Sequence, residues 1–247
     1  MFSFIKKRAH RDTISVSDMV KGSRLKHIAF IMDGNGRWAK KRGLPREAGH
    51  KRGSEVFRSI VKYCGSIGID VVTVYALSTE NLKNRPKTEI DALMRLFTVY
   101  FDLFINGEEG KNLEVRFIGD IDPLPENIKE MMREIEAREG EMTQRLNIAI
   151  NYGGRDELVR AVNGLISSGK SRITEEDIDF ALDTAGCAAP DVIVRTGGEQ
   201  RLSNFLMWQS AYSELYFSDA LWPDYSSDDV DETVRWFAGR SRRFGGI

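Results

Sequence analysis

Residues 27–41 read HIAFIMDGNGRWAKK, and the change of pattern halfway along decides the architecture. HIAFIM is a short continuous apolar run, the signature of a strand buried on both faces of a parallel sheet. DGNG interrupts it with two glycines, and RWAKK opens a helical pattern. A strand feeding a helix through a glycine turn is the start of a βαβ unit. Outward from there, Val71–Leu77 (VVTVYAL), Leu113–Ile118, Leu146–Ile150 and Val192–Val194 repeat the buried-strand pattern, with Leu215–Phe217 a weaker sixth. Amphipathic helical patterns fall between them, at roughly 49–67, 87–105, 125–139, 154–168, 174–184 and 227–239. The expected fold is α/β, a single domain with a central, mostly parallel six-stranded sheet flanked by helices. Residues 1–24 read as an N-terminal tail and 25–247 as the domain.

The chain has 247 residues, enough for one substantial core without disulfides or structural metal. Lys+Arg total 36 against Asp+Glu 37, a net charge of -1, so nothing global calls for nucleic acid. Cys64 and Cys187 have no metal-ligand neighbours and read as small apolar residues in a reducing compartment. MFSFIKKRAHRDT at the N-terminus is too polar for a secretory segment, and no window approaches the ~20 apolar residues of a spanning helix. The expectation is a soluble, cytoplasmic protein. Phe2, Phe4 and Ile5 beside Lys6, Lys7 and Arg8 would suit a peripheral contact with an anionic membrane, although a frayed solvated tail is the plainer reading.

In a parallel sheet, ligands bind beyond the carboxyl ends of the strands. Asp33 follows the first strand, Ser78–Asn81 the second and Arg195–Gly198 the fifth, so three separate strand ends meet on one rim. Gly34, Gly36 and Ala39 fit a loose G-x-G-x-x-A dinucleotide turn. Asp33 argues against that ligand, because a carboxylate about 4 Å from a bare pyrophosphate is repelled by roughly 4 kcal/mol per charge pair. A divalent cation between them reverses the sign, and Mg²⁺ commonly binds through one or two carboxylates plus phosphate oxygens. A metal–diphosphate loop is therefore favoured over NAD, with a plain turn whose Asp caps the next helix as the structural alternative. Arg37 follows, then Arg46 and His50, four apart and on one helical face if a helix starts near Pro45. These suit a leaving diphosphate, whereas Lys40, Lys41, Lys51 and Arg52 read as solvated.

Ser78-Thr79-Glu80-Asn81 at the second strand end either caps a helix or belongs to the site, and Arg85 before Pro86 has no capping duty. In VRTGGEQRLSNF, residues 194–205, Arg195, Arg201 and Ser203 surround Gly197 and Gly198, a cage for a second diphosphate, a sulfate or a carboxylate. Glu214, ahead of an apolar strand, is either a second metal carboxylate or a salt-bridge partner. The helix near 87–105 is apolar nearly all round toward its C-terminal half. That marks either buried core or the wall of a hydrophobic tunnel for a lengthening chain.

HIAFIMDGNGRWA, AGHKRG, ALSTEN, NRP, LNIAINYGGRDEL and IVRTGGEQRLSNFLMWQSAYSELYF together resemble, in order, the signature segments of the cis-prenyltransferase (undecaprenyl diphosphate synthase) family. The resemblance runs from about His27 to Gly246. It implies a Mg²⁺-dependent enzyme that adds isopentenyl diphosphate to farnesyl diphosphate or another short allylic primer. The implied product is a long Z-polyprenyl diphosphate, most simply undecaprenyl diphosphate, the lipid-carrier precursor for cell-wall glycan synthesis. By that resemblance Asp33 and Glu214 hold the metal, and Gly34, Asn35, Gly36, Arg37, Arg46 and His50 receive the allylic diphosphate. Arg195, Arg201 and Ser203 bind isopentenyl diphosphate, while Ser78, Thr79, Glu80, Asn81 and Arg85 lie between the two. Trp38 is implied to pack near the primer's tail. The proton acceptor is left among Asp33, the Ser78/Asn81 pair and a phosphate oxygen.

The resemblance also implies a homodimer, with Arg243-Phe244-Gly245 reaching across the interface, and a peripheral membrane contact for product release. Two positions depart from the family pattern: Gln200 stands where many relatives have histidine, and Leu82 where tryptophan is usual. A trans-prenyltransferase would need paired DDxxD motifs, which Asp228-Asp229-Val230-Asp231 does not supply. A non-catalytic partner subunit would lack the metal aspartate and much of the arginine cage.

Overall fold

The computed structural model describes residues 14–107, 110 and 112–240. The apolar and basic residues of the N-terminal tail, and Arg243 to Gly245, lie outside the described residues. Six strands form the sheet: β1 (His27–Ile31), β2 (Val71–Ser78), β3 (Leu113–Ile118), β4 (Gln144–Tyr152), β5 (Val192–Arg195) and β6 (Glu214–Phe217). Their order is β3-β4-β2-β1-β5-β6, and every neighbouring pair is parallel. The expectation of a mostly parallel sheet is thus met in full.

Nine helices are described: α1 (Val16–Ser23), α2 (Asn35–Lys41), α3 (Arg46–Ser66), α4 (Thr79–Asn84), α5 (Lys87–Asn106), α6 (Glu126–Glu136), α7 (Gly154–Ser167), α8 (Glu175–Ala181) and α9 (Ser227–Ala238). Pro45, Pro86 and Pro125 stand immediately before α3, α5 and α6 in extended conformation. Proline's missing N–H costs nothing there, and its fixed φ starts the helix cleanly. Within the stretch expected to be a tail, residues Val16–Ser23 form α1. Ser15 accepts a hydrogen bond from the Asp18 amide at its start, and Val20 is buried, packed with the core that α9 also enters.

Strand alternation sorts the core by face. Ile28, Phe30, Val72 and Val74 point into a large core beneath α3, α5, α6 and α9. Ala29, Ile31, Ala149 and Ile193 point the other way, against Tyr152, Phe205 and Leu206. Across the central strands runs a buried polar chain. His27 Nδ1 lies 2.7 Å from the Ala188 carbonyl, and its Nε2 2.7 Å from Thr73 Oγ1, which also accepts from Asn147 Nδ2 at 2.9 Å. A carbonyl can only accept, so Nδ1 carries the hydrogen and Nε2 accepts from the Thr73 hydroxyl.

Burial depresses the His27 pKa from 6.5 to about 4. The unfolded chain therefore binds the extra proton first, and the stabilising contribution, complete above pH 6.5, is lost as pH falls toward 4. Between pH 7 and pH 4 the unfolding free energy of the natural chain should drop by about 3 kcal/mol more than that of His27→Gln, measured by urea titration.

Candidate active site

The carboxyl ends of β1, β2 and β5 open onto one rim, and the main chain of Asp33 is fixed at its centre. The Asp33 amide donates to Thr196 Oγ1 (3.0 Å), while its carbonyl accepts from Thr196 Oγ1 (2.8 Å) and from the Trp222 amide (3.0 Å). Gly34 follows with φ +113°, and a Cβ there would lie 2.9 Å from Leu221 Cδ2. A positive φ together with that close approach requires glycine. The turn then runs directly into α2.

The two oxygens of the Asp33 carboxylate face different cations. Oδ1 lies 3.1 Å from Arg37 Nη2 and Oδ2 lies 3.0 Å from Arg195 Nη2. Arg37 also donates to the Gly197 carbonyl at 2.6 Å, tying α2 to the loop after β5. Arg195 is buried, and its Nη1 donates at 2.6 Å to both Ser203 Oγ and the Arg201 carbonyl. Arg201 itself pairs with Glu199. Asp33, Arg37, Arg195 and Ser203 are thus one connected group, although 162 residues separate the first and third.

A cleft of about 620 Å³ opens beside Asp33, lined by Gly34 to Arg37 and by Arg46, His50 and Arg85. Arg46 is the first residue of α3, and His50 follows one turn later on the same face. Burial, then the nearby Arg85, push the His50 pKa down from 6.5 to about 4, so the imidazole is neutral at pH 7. Behind these groups sits Glu89, on the first turn of α5. Its Oε1 lies 2.8 Å from Arg85 Nη1, 3.1 Å from Arg46 Nε and 3.5 Å from His50 Nε2. Reading the sequence missed Glu89, because a lone acid at a helix start passes for a complement to the helix dipole.

Ser78 and Thr79 are buried at the end of β2. Ser78 Oγ accepts from the Asn81 amide at 3.1 Å, so the capping role is real, and Asn81 sits in the first turn of α4. Glu80 accepts from Asn204 Nδ2 at 3.0 Å, which brings the turn containing Ser203 across to this strand end.

Two residues are not brought to the rim. Trp38 donates its indole N–H to Asp224 at 2.6 Å, and the Arg42 guanidinium stacks 4.1 Å over its ring. It lines neither the cleft nor the apolar cavity described next. Glu214 starts β6 opposite Val192, whereas the rim lies at the level of Arg195 and Phe217. At about 3.3 Å per residue it stands ~10 Å back along the sheet, paired with Arg240 at 3.0 Å.

An apolar cavity of about 90 Å³ shares Met32, Asn35 and His50 with the cleft and continues between α3 and α5. Phe57, Leu93, Phe97 and Phe101 line it, so this helix pair is both core and cavity wall. Among the described residues no three His, Cys, Asp or Glu side chains converge to hold a metal by themselves. Asp33 fits a divalent cation that arrives with phosphate oxygens as its remaining ligands, the donor set Mg²⁺ prefers.

The protein-family model described as putative undecaprenyl diphosphate synthase matches residues 31–245. An isoprenyl transferase of Listeria innocua is 46% identical over 229 residues, covering 90% of each chain. One from Clostridium perfringens is 41% identical across 100% of both. Among solved structures, lavandulyl diphosphate synthase from Lavandula x intermedia, in complex with dimethylallyl diphosphate, superposes with a TM-score of 0.81 at 32% identity. That match covers 89% of this chain and 98% of the other. A probable undecaprenyl diphosphate synthase from Campylobacter jejuni gives 0.75 at 32% identity, over 90% and 98%.

The placement of α2 rests on a close approach that can be tested directly. A Cβ on Gly49 of α3 would lie 2.1 Å from the Asn35 carbonyl oxygen, a backbone atom that cannot yield by a rotamer change. Gly49→Ala should therefore push α2 away, lowering stability by roughly 1–3 kcal/mol in denaturant titration and weakening pyrophosphate binding in calorimetry.

Proposed function

Because the chain belongs to the family of putative undecaprenyl diphosphate synthases, and is an isoprenyl transferase by that membership, we propose that it carries out successive cis-condensations of isopentenyl diphosphate on a short allylic primer. Farnesyl diphosphate is the proposed primer and undecaprenyl diphosphate the proposed product. The observation that carries this reading is the divided Asp33 carboxylate, one oxygen on Arg37 and the other on Arg195. Two cation groups flank one carboxylate, as two diphosphates around a shared ion require. The dimethylallyl diphosphate named with the lavender enzyme is a ligand of the allylic class proposed here.

In the proposed assignment the primer's diphosphate occupies the cleft of Gly34, Asn35, Gly36, Arg37, Arg46, His50 and Arg85. Isopentenyl diphosphate is held by Arg195, Arg201 and Ser203. Asp33, together with phosphate oxygens, would hold a Mg²⁺ ion, which when bound would supply charge stabilisation to the departing diphosphate. Guanidinium groups and the amides at the start of α2 do the same without reorganisation. A carbon–carbon bond forms as the primer's carbon–oxygen bond breaks, and loss of one proton sets the Z double bond. Ser78 and Asn81, at the end of β2, are proposed to position the reacting ends, with Glu80 holding that segment to Asn204 and Thr79 buried beside it. The growing chain is proposed to follow the apolar pocket between α3 and α5.

A homodimer is proposed as well. Tyr212 and Phe180 are 71% and 72% exposed, and Leu215 on edge strand β6 is partly exposed too. Edge strands and apolar patches of this kind are normally covered. Glu214, set back along β6, would join a metal only across such an interface. No described helix is long and apolar enough to cross a membrane. A cytoplasmic enzyme that releases product at the membrane surface is the proposed setting.

The test is extension of farnesyl diphosphate by labelled isopentenyl diphosphate, with product length read by chromatography. The natural chain should give long Z-polyprenyl product with Mg²⁺ and none with EDTA. Asp33→Ala should lose roughly 100-fold or more in kcat, equivalent to several kcal/mol of charge stabilisation. A folded chain that extends no short allylic primer would instead be a non-catalytic partner subunit.

A further inference from the structure

Glu89 belongs to no predicted cluster and does not line the cleft, yet its position is unusual. Three cationic or protonatable groups, two from α3 and one from the loop between α4 and α5, converge on a single carboxylate oxygen. Its side chain is only 13% exposed, and none of the three contacts has the direction of a hydrogen bond. His50 Nε2 is likewise buried without a hydrogen-bond partner. For Arg46 and Arg85 the attraction is one of charge, whereas the neutral His50 is placed by its position on α3.

The charges explain what the carboxylate does. Arg46 and Arg85 each have a guanidinium nitrogen within about 3 Å of the same atom, so the two cations are crowded together. Like charges this close repel unless an anion lies between them. Arg85 is half desolvated, and burial lowers its pKa while Glu89 opposes that effect. Arg46 has a 55% exposed side chain and open water to turn into. Without Glu89, Arg46 would leave for solvent, and the pre-arranged convergence of the two guanidinium groups beside His50 would be lost. Because Glu89 lies behind these groups, it acts on a ligand only through them.

We propose that Glu89 is a positioning residue for the primer's diphosphate, gathering Arg46 and Arg85 beside His50 into the arrangement that receives it. This rests on reading the cleft as the primer site, so that reading needs its own control. Steady-state kinetics of the full chain would compare Glu89→Gln, Glu89→Asp and Arg85→Ala. Glu89→Gln should raise KM for farnesyl diphosphate about tenfold, with KM for isopentenyl diphosphate and kcat changed less than twofold. Glu89→Asp, which keeps the charge, should recover most of that loss. Arg85→Ala should raise the primer KM by a similar factor.

An unchanged or lowered primer KM in Glu89→Gln, with Arg85→Ala impaired, would overturn the role of Glu89 and leave the cleft assignment standing. An unchanged primer KM in Arg85→Ala would overturn the cleft assignment itself. Parallel loss in both KM values and kcat, or a Glu89→Gln chain that does not fold beside a Glu89→Asp chain equally impaired toward both substrates, would make Glu89 merely structural.

Discussion

The peptide group of Asp33 is the fixed point of this molecule. Thr196, fully buried, both donates to and accepts from it, and the Trp222 amide holds its carbonyl from the other side. Those bonds join β1, the loop after β5 and the turn after β6 at one residue. The Trp222 side chain extends the same connection, since its indole N–H donates to the Gly53 carbonyl of α3 at 2.8 Å. The aim of the Asp33 carboxylate, the glycine turn into α2 and the wall of the apolar pocket all follow from that anchorage. A main-chain group with every bond satisfied resists displacement, so the site is held by the loops at the sheet's carboxyl edge locked to one another through Asp33.

Electrostatics complete the picture. A net charge of -1 says nothing of the local arrangement. Each group of cations at the rim carries its own internal counter-ion. Asp33 serves Arg37 and Arg195, Glu199 serves Arg201, and Glu89 serves Arg46 and Arg85. That keeps a strongly basic pocket stable while it is empty.

Most of the sheet was readable because β-branched apolar runs bounded by glycine have few alternatives, and the convergence on the rim followed from parallel topology. What escaped has specific physical causes. The helix α1 is only eight residues long, yet Ser15 and Asp18 around Val16, Met19 and Val20 carried a capping and spacing signal that could have found it. Trp38 was expected near a greasy tail, but its N–H found Asp224 from 186 residues away, which no local pattern encodes. Glu214 begins a parallel strand and so, within one chain, lies at the end opposite the rim. Glu89 was invisible, because only the fold brings it beneath Arg46 and His50.

The parallel topology has a consequence for how the chain is made. β1 sits between β2 and β5, and β5 begins about 160 residues after β1 ends. Pairings this distant in sequence give a high contact order and slow folding. During synthesis β1 can join β2 early, but its other edge stays bare until most of the chain has emerged from the ribosome. Asp33 then waits, oriented by neither Thr196 nor Trp222, for the last quarter of the protein. A nascent chain of this design exposes a strand edge of unpaired backbone groups, carrying mostly apolar side chains, for much of its translation. That interval is when the chain is most prone to aggregate and most dependent on chaperones.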